Sequence, residues 1–332
     1  MSLRHLLPFD ASDCQAQAQV LGGFALGVAP DVAVPWPCQR VRVPLLDGSG
    51  DSCLEAWQVD GAVSSGQADG LVWRRSGDML FGVIEVDEAA MAVPDGHSRL
   101  ERASAQIYRQ MFTLLDQQGL PHLWRIWNYL PDIHGQEMGL ERYRQFNVGR
   151  AEGFASAARS VVGRVPAACA LGVRQGPLTV AFLAGASPAV PLENPRQLSA
   201  FRYPQRYGPQ SPTFARAALA YPDGQEWLLV SGTASIVGHE TRHAGDVRAQ
   251  CHETMENLQA VVDQANGCRR SVRPFDLDRM GLRVYLRHAR DLDVVREVVR
   301  ERCPGAALGC VQADVCREDL LVEIEAWGVL PC

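Results

Sequence analysis

Residues 214–236, FARAALAYPDGQEWLLVSGTASI, read as two apolar strands folded about Pro222-Asp223-Gly224. Residues 70–86, GLVWRRSGDMLFGVIEV, read as the same hairpin about Ser76-Gly77-Asp78. Working outward, each hairpin is followed by a polar loop, through Pro94 and Gly96 in one case and over Gly238 to Gly245 in the other. A long helix is expected after each loop. In the first, starting near Ser98, apolar Leu100, Ala103, Ile107, Met111 and Leu114 keep helical spacing up to Gly119. In the second, capped by Asp246, Val247, Cys251, Met255, Leu258 and Val262 do the same up to Gly267.

The remaining elements also match. Strand Leu123–Leu130, a helix from Gly139 to about Ala158, and strands near Ala167–Val173 and Leu178–Leu183 complete the first series. Strand Leu282–Leu286, helix Leu292–Arg302 and strands Gly309–Gln312 and Leu320–Ala326 complete the second. The order β-β-α-β-α-β-β therefore occurs twice, which predicts an α+β protein of two tandem units. Three landmarks align them: Asp78-Met79-Leu80 with Glu226-Trp227-Leu228, Cys169 with Cys310, and Val180-Ala181 with Val322-Glu323. Pro188, Pro191, Pro195, Pro204, Pro209 and Pro212 interrupt any helix between the units and predict an extended connector. The expected organisation is an N-terminal extension over 1–50, a first unit over 51–186 and a second over 187–332.

A chain of 332 residues, 47% hydrophobic and 21% charged, suits two globular units and excludes disorder for most of its length. The apolar run Val20–Pro30 is too short and too broken to cross a bilayer. Met1 to Asp13 lacks the continuous apolar segment of a secretory leader, so a cytoplasmic protein is expected. The net charge of −6 argues against nucleic acid or an anionic membrane as partner. Every basic residue other than histidine is arginine, which excludes a P-loop, a Schiff-base lysine and a pyridoxal-phosphate site. Ten cysteines without a C-x-x-C pair read mostly as small buried hydrophobes.

Two chemical signals remain. His239-Glu240-Thr241-Arg242-His243 has the H-E-x-x-H pattern of zinc hydrolases, but the pattern needs a helix, and these residues fall between flanking glycines in a predicted loop. The position six residues beyond His243, where a third histidine would complete a metzincin set, is Ala249. The other signal is Leu321–Ala326, LVEIEA, where strand alternation puts Glu323 and Glu325 on one face. If that face meets the neighbouring unit, burial raises the Glu323 carboxyl and lets it hold a proton near neutral pH.

LVEIEA, preceded by Cys310, resembles the C-terminal signature of the RidA (YjgF) family, small α+β proteins of chorismate mutase-like, ferredoxin-type architecture with this element order. The segments LWRIWNYLPDIHG (123–135), ERYRQFNVGRAEGF (141–154), FRYPQRYGPQSPTFARA (201–217) and VSGTAS (230–235) carry a narrower resemblance. They are similar to the chorismatases, two-unit relatives of RidA that act on chorismate with release of pyruvate. The likeness is to the 3-hydroxybenzoate-forming branch, which includes pigment-pathway enzymes that also make 4-hydroxybenzoate. Leu308 stands where RidA proteins carry their carboxylate-binding arginine, so imine deamination is not expected.

The resemblance implies an enzyme without cofactor or metal, a monomer or small homo-oligomer, with chorismate as its partner. Glu323 would be the acid that protonates the enolpyruvyl group. Ala181 at the corresponding position of the first unit would leave one working site. Cys316 matches a cysteine of 3-hydroxybenzoate-forming relatives, and Gly232 would give space beside the ring. The two substrate carboxylates need arginine forks. Arg202, Arg206, Arg150 and Arg287 are the candidates, with Tyr143, Tyr203 and Tyr207 as hydrogen-bond donors and Asn147 at the site. A catalytically inactive RidA-like binding protein is the other alternative.

Overall fold

The computed structural model describes residues 3–6, 17–47, 50–92 and 96–332. Pro94 of the expected polar loop and most of Met1 to Asp13 lie outside them. Four strands come first: β1 (Leu3–Leu6), β2 (Val20–Gly27), β3 (Cys38–Arg42) and β4 (Ser52–Val59), paired in the order β1-β4-β2-β3. The expected extension is thus a sheet of its own, and it runs past residue 50 to Val59, because β4 pairs with β1 and β2.

The first unit contains β5 (Ser64–Ala68), β6 (Leu71–Ser76), β7 (Met79–Val86), α1 (Arg99–Gln118), β8 (His122–Pro131), the short hairpin β9 (Gln136–Glu137) and β10 (Leu140–Glu141), α2 (Arg142–Ser156), β11 (Ala167–Val173) and β12 (Leu178–Gly185). The second contains β13 (Val190–Leu192), β14 (Ala217–Ala220), β15 (Gln225–Ala234), the short hairpin β16 (Ile236–Val237) and β17 (Glu240–Thr241), α3 (Val247–Cys268), β18 (Gly281–Leu286), α4 (Leu292–Arg302), β19 (Ala307–Gln312) and β20 (Val322–Pro331). Each unit forms a six-stranded sheet, β11-β8-β12-β7-β6-β5 and β19-β18-β20-β15-β14-β13. Position by position the two orders are the same, each with one parallel pair at the β11 or β19 edge.

The expected α+β repeat is present, with an edge strand added to each unit. Part of the proline-rich connector supplies one of them, since Val190–Leu192 pairs with Ala217–Leu219. One landmark shifts by a residue. Cys169 faces the core between the sheets together with Val311, whereas Cys310 faces the helices of its own unit. Strand alternation makes such a slip a change of face.

Helix α1 is anchored by a reciprocal capping box between Ser98 and Glu101 and buries the expected stripe. Helix α2 packs on it through Gly149, where a Cβ would lie 2.1 Å from the Glu101 carbonyl oxygen. Both helices cover one face of the first sheet, and α3 with α4 covers one face of the second. The free faces of both sheets meet the N-terminal sheet in a shared core. Trp57 of β4 stands there 5.2 Å from Trp227 and 5.9 Å from Trp127, ring centre to ring centre.

Candidate active site

Where the start of β20 crosses the end of β15, the ladder slips between Val230 and Thr233. This bulge holds Ser231 and Gly232. Ser231 Oγ accepts from the Ala168 amide (2.9 Å) and donates to the Ala215 carbonyl (2.5 Å), tying the bulge to β11 and to the connector. Gly232 lies against Glu323. A Cβ there would come within 1.9 Å of Glu323 Oε1, so only glycine admits the carboxyl at this point.

Glu323 looks into a cavity of about 560 Å³ between the two units. Tyr143 comes from α2, Tyr203, Tyr207, Phe214 and Arg216 from the stretch between β13 and β14, and Gly232, Cys316 and Arg317 from farther along the second unit. A recess of about 30 Å³ continues behind Glu323 to Arg150 and Cys169. Burial, reinforced by the neighbouring Glu325 charge and only partly offset by Arg125 and Arg216, pushes the Glu323 carboxyl up to about 8. Among the described residues nothing donates a hydrogen bond to it.

Its neighbour on the same face is the opposite case. Glu325 accepts from Arg125, Trp127 Nε1 (3.0 Å), Arg283 (2.6 Å) and Tyr285 Oη (2.8 Å). Two carboxyls separated by one residue are therefore sorted by environment into a fully partnered carboxylate and a free acid.

Three arginines around the cavity lack a carboxylate partner among the described residues. Arg150 is buried, reaches Asn147 Oδ1 (2.6 Å), and has an unpartnered Nε. Buried Arg216 donates to the Leu198 carbonyl (2.7 Å) and Tyr203 Oη (2.8 Å) and lies over the Phe214 ring, again with Nε unpartnered. Arg317 donates to the His239 carbonyl (2.9 Å), lies over Tyr207, and leaves one terminal nitrogen without a partner. Buried guanidinium groups without counter-ions are preorganised for an anionic ligand.

Of the residues expected from the sequence, Glu323, Cys316, Gly232, Tyr143, Tyr203 and Tyr207 line the main cavity and Arg150 the recess. Asn147 stands behind them, holding Arg150 and donating to the Tyr143 carbonyl (3.0 Å). The Cys316 thiol, pushed up to about 12 by burial and by Glu323, stays protonated.

Three arginines are elsewhere. Arg202 is exposed against Phe201. Arg206 is exposed and bonded to Tyr207, His239 and Glu240. Arg287 pins the loop before β20 through Asp314 (2.8 Å) and the Leu320, Val315 and Arg317 carbonyls. Arg216 and Arg317 line the cavity instead. Arg216 lay within the quoted segment 201–217 with nothing to mark it, and Arg317 adjoins Cys316 in an irregular loop where no periodicity shows direction.

The H-E-x-x-H residues do not share a helix face. His239 and Glu240 lie on the β16–β17 hairpin, with His239 Nδ1 against Arg206 (2.9 Å). His243 sits in a left-handed turn (φ 57°), 3.2 Å from Glu253. Among the described residues no three His, Cys, Asp or Glu side chains converge as a metal site would require.

Residues 55–184 match the family described as Chorismatase FkbO/Hyg5-like, N-terminal. A chorismatase of Streptomyces rapamycinicus is 42% identical over 298 residues, 87% of this chain and 86% of that protein. A 3-hydroxybenzoate synthase of Streptomyces hygroscopicus is 37% identical over 295 residues, covering 86% and 84%. A crystal structure of a chorismatase superposes with a TM-score of 0.86 at 34% identity over 98% of both chains. With this likeness spanning both units, the chain belongs to the chorismatase family.

Proposed function

We propose that the chain converts chorismate to 3-hydroxybenzoate and pyruvate in the cavity beside Glu323. The observation that carries this is one buried acid facing guanidinium groups that form no ion pair among the described residues. Chorismate brings what such a site lacks: two carboxylates and an acid-sensitive enol ether. Arg150, Arg216 and Arg317 are the candidate carboxylate forks, with Tyr143, Tyr203 and Tyr207 supplying hydroxyl donors.

Protonated Glu323 delivers its proton to the enolpyruvyl methylene carbon, and the ether oxygen stabilises the resulting cation. The weakened ring C–O bond breaks and pyruvate departs. The substrate's own hydroxyl oxygen closes on the vacated ring carbon as an arene oxide, which reopens to 3-hydroxybenzoate. The ring proton lost on rearomatisation returns to Glu323. The atoms of chorismate equal those of pyruvate plus hydroxybenzoate, so water is not consumed. Loss of the ring proton beside the hydroxyl in place of epoxide closure gives 4-hydroxybenzoate from the same start. Cys316, a neutral thiol beside the acid, borders the space in which these routes divide.

The purified chain incubated with chorismate is expected to release pyruvate and 3-hydroxybenzoate in equal amounts, read by a coupled pyruvate assay and chromatography of the aromatic acids. Absence of pyruvate sinks the reading. A non-aromatic dihydroxylated diene as main product would replace intramolecular capture by hydrolysis.

A further inference from the structure

Behind Glu323 lies a buried charge cluster built from all three sheets. Arg125 and Trp127 come from β8, Arg283 and Tyr285 from β18, Glu325 from β20 and Glu55 from β4. Arg283 bridges the two carboxylates, through Nε to Glu55 (3.2 Å) and through Nη1 to Glu325 (2.6 Å). The His5 ring closes the far side, 3.2 Å from Glu55. We propose that this cluster is a positioning device for the acid: Glu325, fixed by Arg125 and Arg283 and supported from the N-terminal sheet by Glu55, keeps Glu323 in its protonated form.

The charges require it. Burial lowers the His5 ring below its ordinary value, the Glu55 hydrogen bond and charge acting against this. Burial also opposes ionisation of Glu55, but Arg283 and His5 overcome it and hold that carboxyl down at about 2. Two guanidinium groups and two carboxylates then balance. Glu323 is a third carboxyl beside a neutral cluster whose donors are already directed at Glu325, so on this side its ionisation would meet no spare positive charge.

Other groups face Glu323 as well. Tyr285 is its partner in the β18 register, and Cys169, Cys316 and Tyr143 present groups whose burial pushes them upward, so all remain neutral. Arg216 and Arg150 are the unpaired cations on its cavity side. In the complex they meet the carboxylates of the substrate, and the balance behind Glu323 then decides its protonation.

This inference rests on Glu323 being the acid, and its test separates the two. Glu325→Gln leaves the cluster one unit positive, so the alkaline limb of kcat and of kcat/KM should move acid-ward by about one pH unit, about a fivefold loss at pH 8 that approaches tenfold at pH 9, with activity retained near pH 6. Glu325→Gln combined with Arg125→Met restores the balance and should bring the limb back near its original position. Glu55→Gln, made in a different sheet, should give a smaller acid-ward shift and remains informative if Glu325→Gln does not fold. Folded variants whose activity falls equally at every pH, with the limb unmoved, would overturn the cluster's role while leaving Glu323 in place. Turnover retained by Glu323→Gln would instead remove the acid assignment itself.

Discussion

Glu323 and Glu325 differ only in what surrounds them, and the proposed chemistry depends on that difference. With the acid form below and the carboxylate above about 8, kcat/KM is expected to be level near neutrality and to fall tenfold per unit as pH rises beyond that value. Glu323→Gln should cost about 10²–10⁴ in kcat and leave the circular dichroism unchanged. Its effect on stability has a definite sign. The folded state holds this proton more tightly than the unfolded chain, whose glutamates titrate near about 4.3. Stability therefore falls as pH rises from there through about 8. Glu323→Gln removes that loss, so its melting temperature should equal or exceed the parent's at pH 9, and a lower one would count against a buried, unpartnered carboxyl. Gly232→Ala places a methyl group where the carboxyl stands, and kcat should drop with little change in KM. The sequence showed which face the two glutamates share. It did not show that, among the described residues, Glu325 would take four donors and Glu323 none, because those donors come from residues 40 to 200 positions away.

At the scale of elements, α2 brings first-unit residues to a cavity whose Glu323 belongs to the second. Its position depends on the approach of Gly149 to the Glu101 carbonyl on α1. Gly149→Ala should force the helices apart and destabilise the fold by about 1–3 kcal/mol, by analogy with other overpacked contacts. It should also raise KM, since Tyr143 and Arg150 move with the helix, and denaturant titration beside steady-state kinetics would check both effects. Most element boundaries were legible because period and punctuation agreed: Ser98 and Asp246 cap their helices, and Leu292–Arg302 forms as read. The arginine set was only partly legible. Arg202, Arg206 and Arg287 belong to irregular segments or strand ends, where the direction of a long side chain is set by neighbours and not by period. For Arg287 the neighbours are carbonyls of the loop before β20, and for Arg216 they are Tyr203 and the cavity.

Across the whole molecule, the N-terminal sheet stands against the free faces of both units, and Trp57 is its central contact with Trp127 and Trp227. Trp57→Ala should cost about 3–5 kcal/mol, read as a fall in denaturation midpoint, and should loosen both units together because all three sheets share that core. By itself the sequence determined the α+β class, the repeated element order, the strand carrying the glutamates and the absence of lysine, all properties of local period, turn chemistry and composition. Only the tertiary structure decided that the extension reaches Val59 as a third sheet, that Cys169 corresponds in the repeat to Val311 and not Cys310, and which arginines line the cavity and its recess without an ion pair among the described residues. The physical reason is range. Periodicity fixes a face within one strand or helix, whereas burial, charge balance and hydrogen-bond supply at Glu323 are set by side chains that converge from three sheets.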